Sequence, residues 1–242
     1  MQLLHLRNTP IFHQLQIEEA FLRLGTDNLC VINEGSSPAI VMGISGKPEE
    51  LIDLNKLEEN PIPVIKRFSG GGTVVVDQDT LFVSFIFNQA AHPFAPYPEP
   101  ILRWTEEVYK EVFPPSFALR ENDYVLGDRK CGGNAQYLRK ERWLHHTTFL
   151  WDYDPARMDL LLHPKKTPDY RTGRSHSEFI TSLSAHMPSK GELIAQIKKT
   201  LAKRFPLEEI ALAELEPLLA KPHRQSVCEI PLPWLSSEVS TH

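Results

Sequence analysis

The chain is short of cysteine. Cys30, Cys131 and Cys228 stand far apart, with no CxxC or CxxH spacing. That excludes a disulfide framework and a zinc-finger type of site, and the odd number of thiols points to a reducing compartment. Positive charge is not in excess either: 26 Lys and Arg face 31 Asp and Glu, a formal net charge of −5. The surface as a whole therefore offers no attraction to nucleic acid or anionic membrane, and any anion site has to be local. Long apolar runs are missing, since the longest, LFVSFIF, falls far below the roughly 18 residues that cross a bilayer. The start MQLLHLRNTP lacks a basic segment followed by an apolar one, so no signal peptide is expected. Internal repeats and low-complexity segments are absent. What is there is ordinary globular composition, 41% hydrophobic and 24% charged, long enough to bury a sizeable core. A soluble monomer in the cytoplasm, or in the mitochondrial matrix of a eukaryote, is the expectation.

Helical and strand periods follow one another along the chain. In FHQLQIEEAFLRL, Ile17, Phe21 and Leu24 recur at i, i+4 and i+7 with polar residues between, which predicts an amphipathic helix with one stripe on the core. CVINEGSSPAIVMGIS reads as two short strands around a turn, and GKPEELIDLNKLEEN as one short polar helix stopped by Pro61. PVIKRF, GTVVVD and TLFVSFIFN read as strands, the last two joined through Asp77-Gln78-Asp79-Thr80 as a hairpin. EPILRWTEEVYKEVF puts Ile101, Thr105, Val108 and Val112 on one helical face before Pro114-Pro115 ends it. YVLGDRKCGGNAQYLRKERWLHHTTFLWDY alternates β-prone runs with turns, an antiparallel meander. Ser189 is placed as the N-cap of a helix carrying Leu193, Ile197 and Leu201, and PLPWLSSEVSTH as an irregular end. The predicted fold class is α+β, a mostly antiparallel or mixed sheet flanked by helices. One domain is expected over 1–188, with a short helical extension over 189–242 packed on it.

Three clusters carry the chemistry. RFSGGGTVVVD sets Arg67 beside three consecutive glycines, whose amides can turn inward as an anion-binding concavity; a glycine bulge that lets strands cross closely is the alternative. The run fits neither a Walker A loop nor a dinucleotide fingerprint. In NDYVLGDRKCGGNAQ, Lys130 projects from a strand whose glycine neighbours leave open space, and its ammonium either follows an anion through a reaction or is a solvated surface charge. Asn122 and Asp123 upstream read as magnesium or nucleotide contacts, or as a turn pair. HHTTFLWDYD offers donors on one face of a strand, since alternating residues share a side, but no third metal ligand at a sensible spacing, so a metal hydrolase is excluded. No GxSxG elbow is present, and Ser69 has no identifiable triad partners. A thiol nucleophile at Cys131 conflicts with strand alternation, which sends residue 131 to the face opposite Lys130.

Together these stretches, with IFHQLQIEEAFLR and IVMGISGKPEEL, resemble in order and gap the catalytic domain of lipoate–protein ligases, within the biotin/lipoate ligase superfamily. The similarity runs from about residue 10 to 185, with YRTGRSHSEFITSL a looser match. The resemblance implies that lipoate and ATP, with Mg²⁺, form lipoyl-adenylate, whose acyl group a protein lysine then takes as an amide. It implies ATP and adenylate contacts from Arg67, Gly71, Gly72, Thr73, Val74 and Val75, with Asn122 and Asp123 near the nucleotide and Asp123 toward Mg²⁺. Lys130 is implied as the catalytic residue, touching both the lipoate carboxyl and the α-phosphate, and Ala135 as an acyl contact. The implied acceptors are apo lipoyl domains of 2-oxoacid dehydrogenase E2 subunits or the glycine-cleavage H protein. Val76-Asp77 stands where many family members have His-Asp. The residues after 188 amount to a few helices, which leaves a self-sufficient ligase, one that borrows an accessory subunit, or a transferase accepting preformed adenylate or acyl groups. A thiol-dependent octanoyl or lipoyl transferase and a non-catalytic adenylate binder are the rival readings.

Overall fold

The computed structural model describes residues 1–162 and 167–232. In chain order the strands are β1 (Gln2–Arg7), β2 (Leu29–Glu34), β3 (Ala39–Met42), β4 (Val64–Lys66), β5 (Val74–Val76) and β6 (Thr80–Asn88). They continue as β7 (Phe117–Arg120), β8 (Asp123–Leu126), β9 (Arg129–Leu138), β10 (Arg142–Leu150), β11 (Glu208–Ile210) and β12 (Cys228–Glu229). The α-helices are α1 (Ile11–Leu24), α2 (Pro48–Leu51), α3 (Leu54–Glu59), α4 (Pro98–Lys110), α5 (Pro155–Met158), α6 (His176–Phe179), α7 (Lys190–Ala202) and α8 (Leu212–Leu219).

The central strands read as unbroken apolar runs because both faces of their sheet are covered. An eight-stranded mixed sheet runs β11-β1-β2-β6-β10-β9-β8-β7, and a four-stranded sheet runs β12-β4-β3-β5. On β6 the alternation divides the side chains cleanly: Val83, Phe85 and Phe87 pack with Ile101 and Val108 of α4 and Leu193 and Ile197 of α7. Phe82 and Ile86 point the other way, into a layer made by Ile17 and Phe21 of α1, Leu215 of α8, and Val41, Ile65 and Val76 of the small sheet. The far face of the small sheet buries Ile40, Met42, Val64 and Val75 against Leu57 and Leu160. The α+β expectation with a mostly antiparallel, mixed sheet is met, and so are the meander β8-β9-β10 and the α4 stripe. The Ser189 cap forms as well, its side chain accepting from the Glu192 amide.

Four local expectations are corrected. The Asp77–Thr80 turn closes, Thr80 N donating to Asp77 O at 3.1 Å, but it joins no hairpin. β5 pairs with β3 while β6 pairs with β2 and β10, so the turn carries the chain from one sheet to the other. The polar helix after Gly46 is two, because Asp53 caps α3 through the Lys56 amide. The opening residues, read only for the lack of a leader, form β1, which lies parallel to both β2 and β11. Glu18 and Glu19, read as part of the polar face of α1, are buried, as that helix is covered by the sheet on one side and by α8 and the segment before β12 on the other. Glu19 Oε2 accepts from the amides of Ser226 and Val227, at 2.8 and 3.1 Å. Beyond residue 189, β11 extends the large sheet and β12 the small one; residues 233–242 of the expected irregular end lie outside the described residues.

Phe87 stacks on Trp143 at 5.1 Å and meets Trp104 edge-on at 5.4 Å. Phe87→Ala is expected to lower stability by about 3–5 kcal/mol, and Ser189→Ala by about 1 kcal/mol. Urea unfolding checks both through the midpoint, with the slope unchanged.

Candidate active site

The glycine run lies between β4 and β5, where the small sheet meets β9 and β10. Arg67 N donates to Met42 O and Ile44 N to Ser69 O, at 2.9 and 3.0 Å, so the segment runs on alongside the end of β3. Gly71 takes φ +101°, and a Cβ there would lie 2.8 Å from Arg67 Nη2. On the neighbouring strand end, a Cβ at Gly43 would collide with the Gly71 carbonyl oxygen. Arg67 is only 5% exposed and turns inward. Its Nη2 donates to the carbonyls of Gly70 and Gly72 at 2.7 and 2.8 Å, Nη1 to Val41 O at 3.4 Å, and Nε to Ser69 Oγ at 3.1 Å. Burial pushes the guanidinium down to about 10, with the charge of Glu18 opposing the shift, so it stays protonated at neutral pH.

With those carbonyls held by Arg67, the amides of Gly70, Gly71, Gly72 and Thr73 have no protein acceptor among the described residues. The Thr73 hydroxyl is buried without a partner. Unpaired donors gathered on a cavity wall are the complement of an anion.

Lys130 comes from the opposite side. β8 and β9 pair Asp123 with Gly133 and Tyr124 with Gly132, but Val125 with Lys130, so Cys131 is the extra residue of a β-bulge. The bulge changes the alternation. Cys131 enters the core, with its thiol pushed far up by burial, whereas Lys130 leans over Gly133, whose missing Cβ leaves 3.4 Å to the lysine Nζ. Lys130 Nζ thereby reaches Asp123 Oδ1 at 2.8 Å. The other Asp123 oxygen accepts from Tyr170 OH at 2.9 Å, and burial together with that carboxylate raises the phenol well above its usual range.

Both clusters open into one cavity of about 810 Å³. Arg67, Gly71, Gly72, Thr73, Val74 and Val75 form one wall, and Asn122, Asp123, Lys130 and Ala135 another, so every site residue named from the sequence is brought together. Lys47 and Arg171 add positive charge to a wall that belongs to a net negative chain. None of the three cysteines lines it.

Sequence reasoning missed five contributors. His146 and Thr148 face the cavity while His145 faces the core, where burial pushes its imidazole down to about 3; reading the two histidines as a pair conceals this. Ser69 does have partners: its Oγ lies 2.8 Å from His146 Nε2, and His146 Nδ1 lies 2.9 Å from Glu18 Oε2. Tyr170 and Arg171 sit in YRTGRSH, where a tyrosine and two arginines around Gly173 were the available signal. Among the described residues no three His, Cys, Asp or Glu side chains gather as metal ligands. Both oxygens of Asp123 are engaged, so the site as it stands offers no preformed Mg²⁺ cage.

Comparison with known proteins fits this geometry. A model of the lipoyl protein ligase A/B catalytic domain matches residues 10–206. Inactive lipoate–protein ligase 2 of Plasmodium falciparum is 29% identical over 72% of this chain and 60% of its own length. Lipoate-protein ligase LplJ of Bacillus subtilis is 33% identical over 48% of this chain and 35% of its own. The chain thus spans less than two thirds of the length of either relative. Two solved structures share the fold, each with a TM-score of 0.73 at 21% identity over 90% of this chain. One, covered to 89%, comes from work on a bi-partite lipoate protein ligase and its E2 lipoyl domain from Thermoplasma acidophilum; the other, covered to 92%, is a lipoate-protein ligase A bound with ATP. The chain belongs to the lipoyl protein ligase A/B catalytic domain family.

Proposed function

We propose that this protein activates lipoate with ATP to lipoyl-adenylate and passes the lipoyl group to a lysine of an apo lipoyl domain or H protein. The observation that carries the reading is the row of donors from Gly70 to Thr73, unpaired among the described residues, in the same cavity as the Lys130 ammonium. In the first step a carboxylate oxygen attacks the α-phosphorus and the bond to pyrophosphate breaks. In the second a neutral amine attacks the acyl carbon, the C–N bond forms and AMP leaves. Two unit negative charges brought to 4 Å repel by about 4 kcal/mol at an effective dielectric of about 20. Lys130 offsets that repulsion by moving from Asp123 to the joining oxygens, while the glycine amides and the Thr73 hydroxyl hold phosphate oxygens. Arg67 serves as the organiser of the run. Apolar wall positions such as Leu15, Val41, Phe82 and Ala135 suit an acyl arm. Magnesium enters on the phosphates of the nucleotide, as part of the substrate.

No helix among the described residues is long and apolar enough to cross a membrane. The Thermoplasma neighbour, described as bi-partite, supports an accessory subunit and an E2 lipoyl domain as partners. A second reading, in which the chain accepts preformed adenylate, is supported by its likeness to a ligase named inactive. Transfer through a thiol is disfavoured, because Cys30 and Cys131 are buried in the core and Cys228 sits on β12.

Wild-type protein given ATP and lipoate without acceptor is expected to release pyrophosphate, and Lys130→Ala to cut the rate by about 10²–10³. Cys131→Ser should leave it near wild type. Transfer from synthetic lipoyl-adenylate with no pyrophosphate release would replace the ligase with the second reading. Thr73→Val should act in two directions, stabilising the free protein by about 1 kcal/mol through loss of an unpaired buried hydroxyl while weakening ATP binding. Thermal unfolding with and without ATP reads both.

A further inference from the structure

Glu18, His146, Ser69 and Arg67 form a single line of hydrogen bonds that the two-step chemistry does not use. Glu18 is fully buried on α1; its Oε1 accepts from Gln14 Nε2 at 2.7 Å and from Ser84 Oγ at 2.6 Å, and its Oε2 lies 2.9 Å from His146 Nδ1. His146 Nε2 lies 2.8 Å from Ser69 Oγ, which accepts from Arg67 Nε at 3.1 Å. A carboxylate cannot donate, so the proton between it and the ring sits on Nδ1, which leaves Nε2 to accept from the serine. Every donor then points the same way, from a buried cation to a buried anion across three separate elements.

The Ser-His-Glu arrangement is that of a nucleophile and its base, yet Ser69 is fully buried, does not line the cavity, and already accepts from a guanidinium. A hydroxyl so placed cannot reach an acyl carbon. Its neighbour in the line is the side chain that holds the carbonyls of Gly70 and Gly72.

We propose that Glu18, His146 and Ser69 are positioning residues that fix Arg67 beneath the glycine run, making the anion site depend on a neutral His146. The inference rests on the anion reading of that run. A proton added at Nε2 turns the ring into a donor toward Ser69 Oγ. The hydroxyl then receives from two cations, and its own hydrogen loses its acceptor in a buried place. The run loosens, and affinity for a phosphate anion falls. The groups facing His146 are few: Glu18 from α1, Arg67 through Ser69 from the segment after β4, the Phe68 ring at 6.4 Å, and neutral His145 beside it on β10.

The test is calorimetric binding of ATP to the full chain without lipoate, across pH. Glu18→Gln, Ser69→Ala and His146→Ala are each expected to weaken binding by about tenfold or more, the scale of a lost charge-assisted hydrogen bond. Ser84→Ala, which removes a different bond to Glu18 and leaves the line intact, should lower stability while leaving affinity near wild type. His146→Gln can still donate to Glu18 and accept from Ser69, so it should restore part of the affinity and lack the acid-side decline expected of wild type, because glutamine does not titrate. Folded relay variants that bind ATP as wild type does, or an acid limb that persists unchanged in His146→Gln, would overturn the proposal. Should wild type itself bind no ATP, the ligase reading falls and the relay is judged by ¹⁵N spectra alone. Loss of solvent protection at the Arg67 Nε–H in Ser69→Ala and Glu18→Gln supports it, and retention overturns it.

Discussion

The contact between Lys130 and Asp123 depends on a constraint written into the backbone: one extra residue in β9. Without the bulge at Cys131, alternation would place Lys130 on the same side as Gly132 and Asn134. With it, the ammonium lies over Gly133 and meets a carboxylate on the paired strand. A half-buried amine paired with an acid at 2.8 Å is held in one direction until another anion competes for it. Tyr170, binding the second oxygen of the same carboxylate, ties this pair to the segment that closes the cavity on that side. The side chain that distinguishes the site is therefore placed by register, and its direction is set before any ligand is present.

The other wall works by opposite means. There a buried cation is directed at the chain's own carbonyls. Burying a guanidinium is costly unless its hydrogens are satisfied, and the carbonyls of Gly70, Gly72 and Val41 with the Ser69 hydroxyl do this. The result is a division of labour in which one positive group shapes the cradle and the other, on the function proposed above, follows the reacting atoms. Both cations line one cavity of a chain whose overall charge is negative.

Much of this could be read from the linear sequence where local chemistry decides structure. The α4 stripe, the Ser189 cap and the β8-β9-β10 meander follow from periods and turn residues a few positions apart, and the glycine run, Asn122-Asp123 and Lys130 stand out by composition. What escaped reading depends on distant partners. β5 and β6 look like a hairpin because the turn between them is sound, but each finds a better partner in a different sheet. Glu19 looks like a surface residue because helical periodicity cannot show that a returning C-terminal segment covers it, and Glu18 because the period cannot show that Ser84 and His146 of the sheet await it. Strand alternation sent Cys131 to the face opposite Lys130, which is the core side, though it could not reveal the bulge that sends Gly132 there too. The line from Glu18 to Arg67 joins α1, β10 and the loop after β4, and no spacing along the chain marks it.

Gly43 touches no ligand in the reading developed above, yet its α-carbon faces the Gly71 carbonyl so closely that no side chain fits. In a saturation library selected for activity, this position should tolerate as little variation as the residues lining the cavity. Gly43 can change only when the Gly71 backbone opposite has already moved away, whereas Gly71 is held to glycine by its own positive φ and by the Arg67 guanidinium.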